Sequence, residues 1–207
     1  MKITSVKSHV LRYNFEEDLG YSQQFYKNRT VHLVKMQTDE GIIGWGECFG
    51  PGTIALANKF IIENVIQPIV VGENPMNKER IWHKVYNLLR DSGQKGMPIQ
   101  ALSGLDIALW DILGKKSQLP LYNLIGGKCS DQIPVYRYGM MLKRKTIEEP
   151  IAPEDYDGYK ELKTNLKINI AGGEDEFTRW GWNHLLKNRC IDIAQPEVCG
   201  LGAFLNI

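Results

Sequence analysis

The sequence lacks most of the features that would set it apart from an ordinary globular chain. Neither charge dominates: 25 Lys and Arg stand against 24 Asp and Glu, a formal net charge of +1. No basic run stands out, so the electrostatic footprint of a nucleic-acid-binding protein is missing. No apolar stretch approaches the roughly 20 residues that span a bilayer. The opening residues, MKITSVKSHVLRYNF, have neither the apolar segment nor the small-residue cleavage site of a secretory signal. Four cysteines, Cys48, Cys129, Cys190 and Cys199, are scattered without a CxxC pair. That usage suits reduced, mostly buried thiols and neither a disulfide framework nor a zinc site. The expectation is a cytoplasmic chain with no membrane and no nucleic-acid partner.

What is present is enough apolar surface for a real core. Of 207 residues 43% are hydrophobic and 10% aromatic, which leaves out collagen-like, coiled-coil and disordered classes. Residues 30–48 hold the clearest local pattern. Val31, Leu33, Val34 and Met36 fill both faces of a strand, Asp39-Glu40-Gly41 turns, and Ile42 begins the return, a β-hairpin. Residues 3–11 read as a third, less regular strand. Between them, 13–29 is polar and aromatic without a period and reads as a long loop.

Helical spacing comes next. Ile54, Ala57, Phe60, Ile61 and Val65 mark a helix over 53–66. Ile81, Trp82, Val85, Leu88 and Leu89 mark another over 75–90, opened by Pro75. Ile99, Leu102, Leu105, Ala108, Leu109 and Ile112 mark a third over 98–115. Residues 1–125 therefore read as an α+β unit, a three-stranded meander followed by helices.

Beyond residue 134 the texture changes. Strands are expected at 135–139, 146–150, 168–173 and 191–195, and helices at 155–164 and 177–188. Strand–helix alternation implies a parallel sheet with its chemistry at the carboxyl ends of the strands. Residues 126–207 are then a partial (β/α) barrel, since a complete one needs about 200 residues or more. Only residues 140–145 separate the first two strands, whereas a parallel crossover takes about a dozen or more. The expectation is an internally shortened and C-terminally truncated barrel.

Three acids close consecutive strands: Glu148 (followed by Glu149), Glu174 and Glu197. A Glu-Glu-Pro or Gly-Glu taken alone is a solvated turn. Repeated once per βα unit, the acids fall on one rim and suit a hard cation, which takes carboxylate oxygens from a few directions. His9, His32, His83 and His184 show no ligand spacing, and Lys143 and Lys145 read as a solvated loop. Gly126-Gly127 lacks the context of a phosphate loop. Trp45, Trp82, Trp110, Trp180 and Trp182 read as core or interface aromatics.

Several of these segments carry a resemblance. TDEGIIGWGE at 38–47, ALSGLDIALWDI at 101–112, LIGG at 124–127, IEEP at 147–150, AGGE at 171–174 and DIAQPE at 192–197 are similar, in order, to motifs of the enolase superfamily. The branch is that of mandelate racemase and muconate lactonizing enzyme. Within it, YNLLRD at 86–91 and QPEVCG at 195–200 look most like galactarolactone cycloisomerase-type acid-sugar enzymes. The resemblance implies an α+β N-terminal capping domain followed by an incomplete parallel (β/α) barrel. It implies Mg²⁺, three carboxylate ligands, abstraction of the proton α to a carboxylate of an acid sugar or its lactone, and a homo-oligomer. Glu148 and Glu174 would be the second and third ligands, with Glu149 supporting them. Glu197 stands at the sixth-strand Asp position. Tyr21, Phe25 and Phe49 would lie in cap loops over the substrate.

The departures from that pattern shape the expectation too. The family's Lys-x-Lys strand and Asp-bearing strand have no counterpart between Lys145 and Thr146. Its seventh-strand His has none before Ile207. As written, the chain lacks the base and one metal ligand and should not run the reaction. Two alternatives arise. The chain is a non-catalytic remnant that associates with itself or a complete relative, or it is part of a longer molecule that holds the missing pieces.

Overall fold

The computed structural model describes residues 1–21, 24–133 and 146–202. The strand expected at 135–139 and the residues Lys143 and Lys145 lie outside them. The N-terminal half opens with an antiparallel sheet of β1 (Ile3–Tyr21), β2 (Gln24–Thr38) and β3 (Ile43–Cys48), in that order. The β2–β3 hairpin turns where the sequence places it, with Gly41 at φ 78° and its N–H donating to Thr38 O at 3.1 Å.

The expected loop over 13–29 is instead a ribbon. β1 and β2 run on together beyond the sheet and stay paired as far as Tyr21 and Gln24. Residues 15–18 stand opposite Lys27 alone, a wide bulge. The strand pattern is unreadable in the sequence because residues 11–14 and 16–20 are exposed: with neither face buried there is no alternation to select.

Three helical pieces then form one rod: α1 (Ile54–Phe60), a π-helical stretch (Ile61–Ile66) and α2 (Gln67–Val70). Pro68 has no N–H to give the preceding turn, and the Gln67 N–H reaches back five residues to Ile62 O, the wide winding of a π-bulge. The rod also closes the free edge of β1, since Gln67 Oε1 accepts from Val6 N–H and Glu63 Oε1 from Ser8 N–H, both at 2.9 Å. Helix α3 (Lys78–Leu89) starts later than expected. Pro75 lies in a turn, where the N–H groups of Met76 and Asn77 donate to Asn74 Oδ1 and O, each at 3.0 Å. Helix α4 (Met97–Ser117) and the short α5 (Leu121–Leu124) complete this half.

Its core joins the inner face of the sheet (Val6, Val34, Met36, Cys48) to α4 (Leu102, Leu105, Leu109, Ile112) and to Ile62, Ile66, Ile81 and Val85. Strand β3 approaches α4 closely through Gly44 and Gly46. A Cβ on Gly46 would overlap Gly104 O, and one on Gly104 would overlap Cys48 Sγ.

The second half alternates β4 (Thr146–Glu148), α6 (Tyr156–Asn165), β5 (Asn169–Gly172), α7 (Thr178–Lys187) and β6 (Ile193–Ala194). The three strands pair in parallel in chain order, as the alternation predicts. Asp155 caps α6 through the Gly158 N–H at 2.9 Å, satisfying one of the donors a helix start leaves open. A smaller core of Tyr159, Ile170, Trp182, Leu185, Cys190 and Ile191 lies beneath. This is an incomplete barrel behind an α+β cap. Trp82, Trp110 and Trp182 are buried as expected, while Trp45 and Trp180 are exposed. All four cysteines are free, with Cys129 exposed. Among the described residues no helix is long and apolar enough to cross a membrane.

The two halves meet at the chain's last described residues. Phe49 N–H donates to Cys199 O and Gly202 N–H to Ser103 Oγ, each at 2.7 Å, and the Trp82 indole N–H donates to Gly202 O. Tyr86 of α3 packs on Trp180 of α7 with ring centroids 5.1 Å apart.

Candidate functional site

The carboxyl ends of β4, β5 and β6 form one acidic rim. β4 delivers Glu148, and the chain then turns at Glu149, whose φ of 42° is rare for a residue with a side chain. That turn is fixed by the Glu149 N–H bonding Ala171 O at 3.0 Å. It lays the Glu149 carboxylate over Gly172, where Oε1 accepts from Gly173 N–H at 3.3 Å. Gly173, at φ 105° and tight against the Trp182 ring, turns β5 towards Glu174 and Asp175. Glu149, Glu174 and Asp175 each bring a carboxylate oxygen within 4.8 Å of the other two.

Their electrostatics are those of crowded acids. Burial pushes the Glu149 carboxyl above its ordinary range, and the charges of Asp175 and Glu148 push it further. The N–H groups of Gly173 and Glu174 pull the other way. Glu174 is raised too, by burial first and then by Glu149, Asp175, Glu148 and Glu197. The side chains that act most strongly on these two groups are acids. The opposite end of the sheet differs. There Asp192 is held below its ordinary range by the Lys163 ammonium at 2.7 Å and by the Ile170 N–H.

The acids singled out by sequence are thus on one rim, in distinct surroundings. Glu174 belongs to the tight group. Glu148 reaches across β5 to the end of β6, its Oε1 accepting from Gln195 Nε2 at 2.9 Å. Glu149 stands within the group itself. Glu197 folds back on its own turn, accepting from Cys199 N–H at 2.9 Å. Asp175 escaped sequence reasoning, although the adjacent acids of Gly-Glu-Asp were a legible sign. Phe49 reaches the rim, its Cβ lying against Gly200 beside Glu197. Phe25 is at the ribbon's far end and exposed. Tyr21 ends β1, and its side chain lies outside the described residues. His184 packs its ring edge-on against Tyr156, a packing role.

Comparison with known proteins agrees with this architecture. Residues 18–126 match the family described as mandelate racemase / muconate lactonizing enzyme, N-terminal domain, and residues 136–207 match the enolase C-terminal domain-like family. The chain is 28% identical to D-galactarolactone cycloisomerase of Agrobacterium fabrum over an alignment of 283 residues, covering all of this chain and 74% of that protein. It is 30% identical to the N-succinyl-L-Arg/Lys racemase of Bacillus cereus, covering 82% of this chain and 46% of that one. The crystal structure of the 3,6-anhydro-D-galactonate cycloisomerase from Zobellia galactanivorans superposes with a TM-score of 0.84 at 26% identity. It covers 98% of this chain and 74% of that one.

Proposed function

The chain belongs to the mandelate racemase / muconate lactonizing enzyme family, and from that premise we propose that its carboxyl rim is a Mg²⁺ site that anchors the carboxylate of an acid sugar or its lactone. The observation that carries this reading is the group of three carboxylates within 4.8 Å of one another, with acids the side chains that act most strongly on Glu149 and Glu174. Three oxygen donors from different directions are what Mg²⁺ takes from protein, leaving positions for water or a substrate oxygen. Glu149, Glu174 and Asp175 would hold the ion, and Glu148, tied to Gln195, would steady the end of β4. When bound, Mg²⁺ lowers the cost of charge developing on a substrate carboxylate as its α-proton leaves.

The rest concerns the chain's own groups. Gly173 and Glu174 N–H point at the Glu149 carboxylate and keep it in place before any ligand arrives. Phe49 and Gly200 wall the rim on the cap side. Among the described residues the side chains that act most strongly on Glu149 and Glu174 are acids, with no Lys or His among them. The reading is therefore a rim that binds metal and ligand without transferring a proton. Relatives named for acid-sugar cycloisomerisation support the ligand class.

Calorimetry tests it. We expect Mg²⁺ to bind and Glu174→Gln to weaken it at least about tenfold, because the ion loses a charged ligand. Galactarolactone should bind only with Mg²⁺ present and remain unconverted by ¹H NMR. Absence of Mg²⁺ binding would remove the reading. Metal-dependent turnover would leave the site standing and retire the non-catalytic part.

A further inference from the structure

Three acids follow one another after β5, and they do not behave alike. Glu174 and Asp175 are exposed on the rim, whereas the next, Glu176, turns inward and is only 3% exposed. The Glu176 N–H donates to Gly173 O at 3.1 Å, closing a β-turn in which Glu174 and Asp175 are the two central residues. Upstream, the turn is held by Glu149, whose carboxylate takes the N–H groups of Gly173 and Glu174. Downstream, it is held by the Glu176 side chain.

A buried carboxylate is costly unless it is hydrogen-bonded. Glu176 Oε1 accepts from the Tyr156 hydroxyl at 2.5 Å, a short bond of the charge-assisted kind. Its Oε2 has no hydrogen bond among the described residues and is seated on the backbone of α7, where a Cβ on Gly181 would overlap it. Tyr156 is the first residue of α6, and its ring stands edge-on to His184 of α7 with centroids 4.5 Å apart. Burial and the Glu176 carboxylate push the Tyr156 hydroxyl above its ordinary range, so it keeps its proton and donates. Both helices therefore grip the turn that carries the exposed acids. Glu176 is not among the acids that act most strongly on Glu149 or Glu174. Its bearing on the rim is through position.

We propose that Tyr156 and Glu176 are positioning residues for the rim: their hydrogen bond, seated in the notch at Gly181, fixes the 173–176 turn so that Glu174 and Asp175 converge with Glu149 on a cation. The use of the brace rests on the rim being a Mg²⁺ site, while the fixed turn itself does not.

Tyr156→Phe removes one hydroxyl and leaves the carboxylate buried without that donor, which drives it towards water and takes the turn with it. In the metal-free chain, hydrogen–deuterium exchange at the Glu176 N–H should then speed up. The Ile170 and Asp192 N–H groups, bonded at the opposite end of the sheet, should keep their wild-type rates. By calorimetry Mg²⁺ should bind about tenfold more weakly, the usual cost of losing a group that orients a ligand. Gly181→Ala favours the helix but fills the notch, and should act in the same direction on both readouts. Glu176→Gln has the same shape and keeps an oxygen for Tyr156, so exchange and affinity should stay close to wild type. A loss with Glu176→Gln as large as with Tyr156→Phe would assign the effect to charge and overturn the proposal. So would exchange at Glu176 unmoved by Tyr156→Phe, exchange faster at Ile170 and Asp192 as well, or an unchanged Mg²⁺ affinity. A wild-type chain that binds no Mg²⁺ removes the cation reading instead, and exchange in the metal-free chain still decides whether the brace exists.

Discussion

His32 stands on the inner face of β2, opposite Cys48 and Val10, fully buried and with neither ring nitrogen hydrogen-bonded. Its imidazole titrates at about 4 instead of 6.5: burial is the main cause, the Lys59 ammonium adds to it, and Glu63 opposes. Between those two values the unfolded chain holds a proton that the folded chain refuses. Its contribution is therefore fully present at neutral pH and drains away as pH falls from 6.5 towards 4. After allowance for solvent screening the loss is about 2 kcal/mol. His32→Leu removes both the titration and two unpaired polar atoms. We expect urea unfolding at pH 7 to show the variant at least as stable as wild type, with its advantage larger at pH 5. An unchanged pH dependence would clear His32 of the role. Sequence could not single it out, because a strand position is equally open to a histidine on either face. At the rim the same limit applied in reverse. Acids at strand ends were legible from Glu148, Glu174 and Glu197, but which carboxylates converge depends on the left-handed turn at Glu149 and on Gly173. No spacing rule encodes those two backbone angles.

At the scale of elements, spacing predicted most helices and strands that have a buried face, though not α2, which carries the rod past residue 66 to the buried Val70. The β2–β3 hairpin, α3, α4, α6 and α7 lie where apolar repeats put them, with ends displaced where local polar bonds intervene, as at Asn74 and Pro75. The ribbon failed the same method for a physical reason, since periodicity reports burial and the ribbon has none. Its outer amides, from Arg12 onward, should exchange with solvent deuterium faster than those of Val6 and Ser8, which are bonded to α2 and the π-helical stretch. Strand β3 makes the opposite case, an element positioned by what it lacks. Gly46 lies against the α4 backbone at Gly104 and Ala108, with no room for a methyl group. Gly46→Ala must push β3 off α4, and we expect a loss of about 3 kcal/mol or more by urea unfolding. A change within about 0.5 kcal/mol, the range of ordinary surface substitutions, would show that the two elements separate freely.

For the whole molecule, the question is how a large core and a small one share stability. The cap gathers residues from all three of its strands, the helical rod, α3 and α4, whereas the cluster of the β/α half has six buried residues among those described. Its three strands among the described residues are two to four residues long. A sheet this short draws much of its order from what it leans on. The bridge is narrow and specific: Ser103 Oγ receives the Gly202 N–H at 2.7 Å while bonding Ile99 O at 3.0 Å, and Trp82 meets Gly202 O from the other side. The alignment with the Agrobacterium fabrum relative spreads these 207 residues over 283, so the relative has residues that face none here. Ser103→Ala leaves the Gly202 N–H buried and unpaired, at a cost of about 1 to 2 kcal/mol. That cost should fall on one half. Calorimetry of the variant is expected to show the β/α half melting earlier than in wild type, with the cap transition in place, because α4 keeps its apolar packing and gives up one hydroxyl. Near-ultraviolet circular dichroism would report the separation of Trp180 from Tyr86 in the first step. A single transition shifted as a whole would mean that the two cores unfold as one unit, and that the hydrogen bonds at Gly202 bind them more tightly than their number implies.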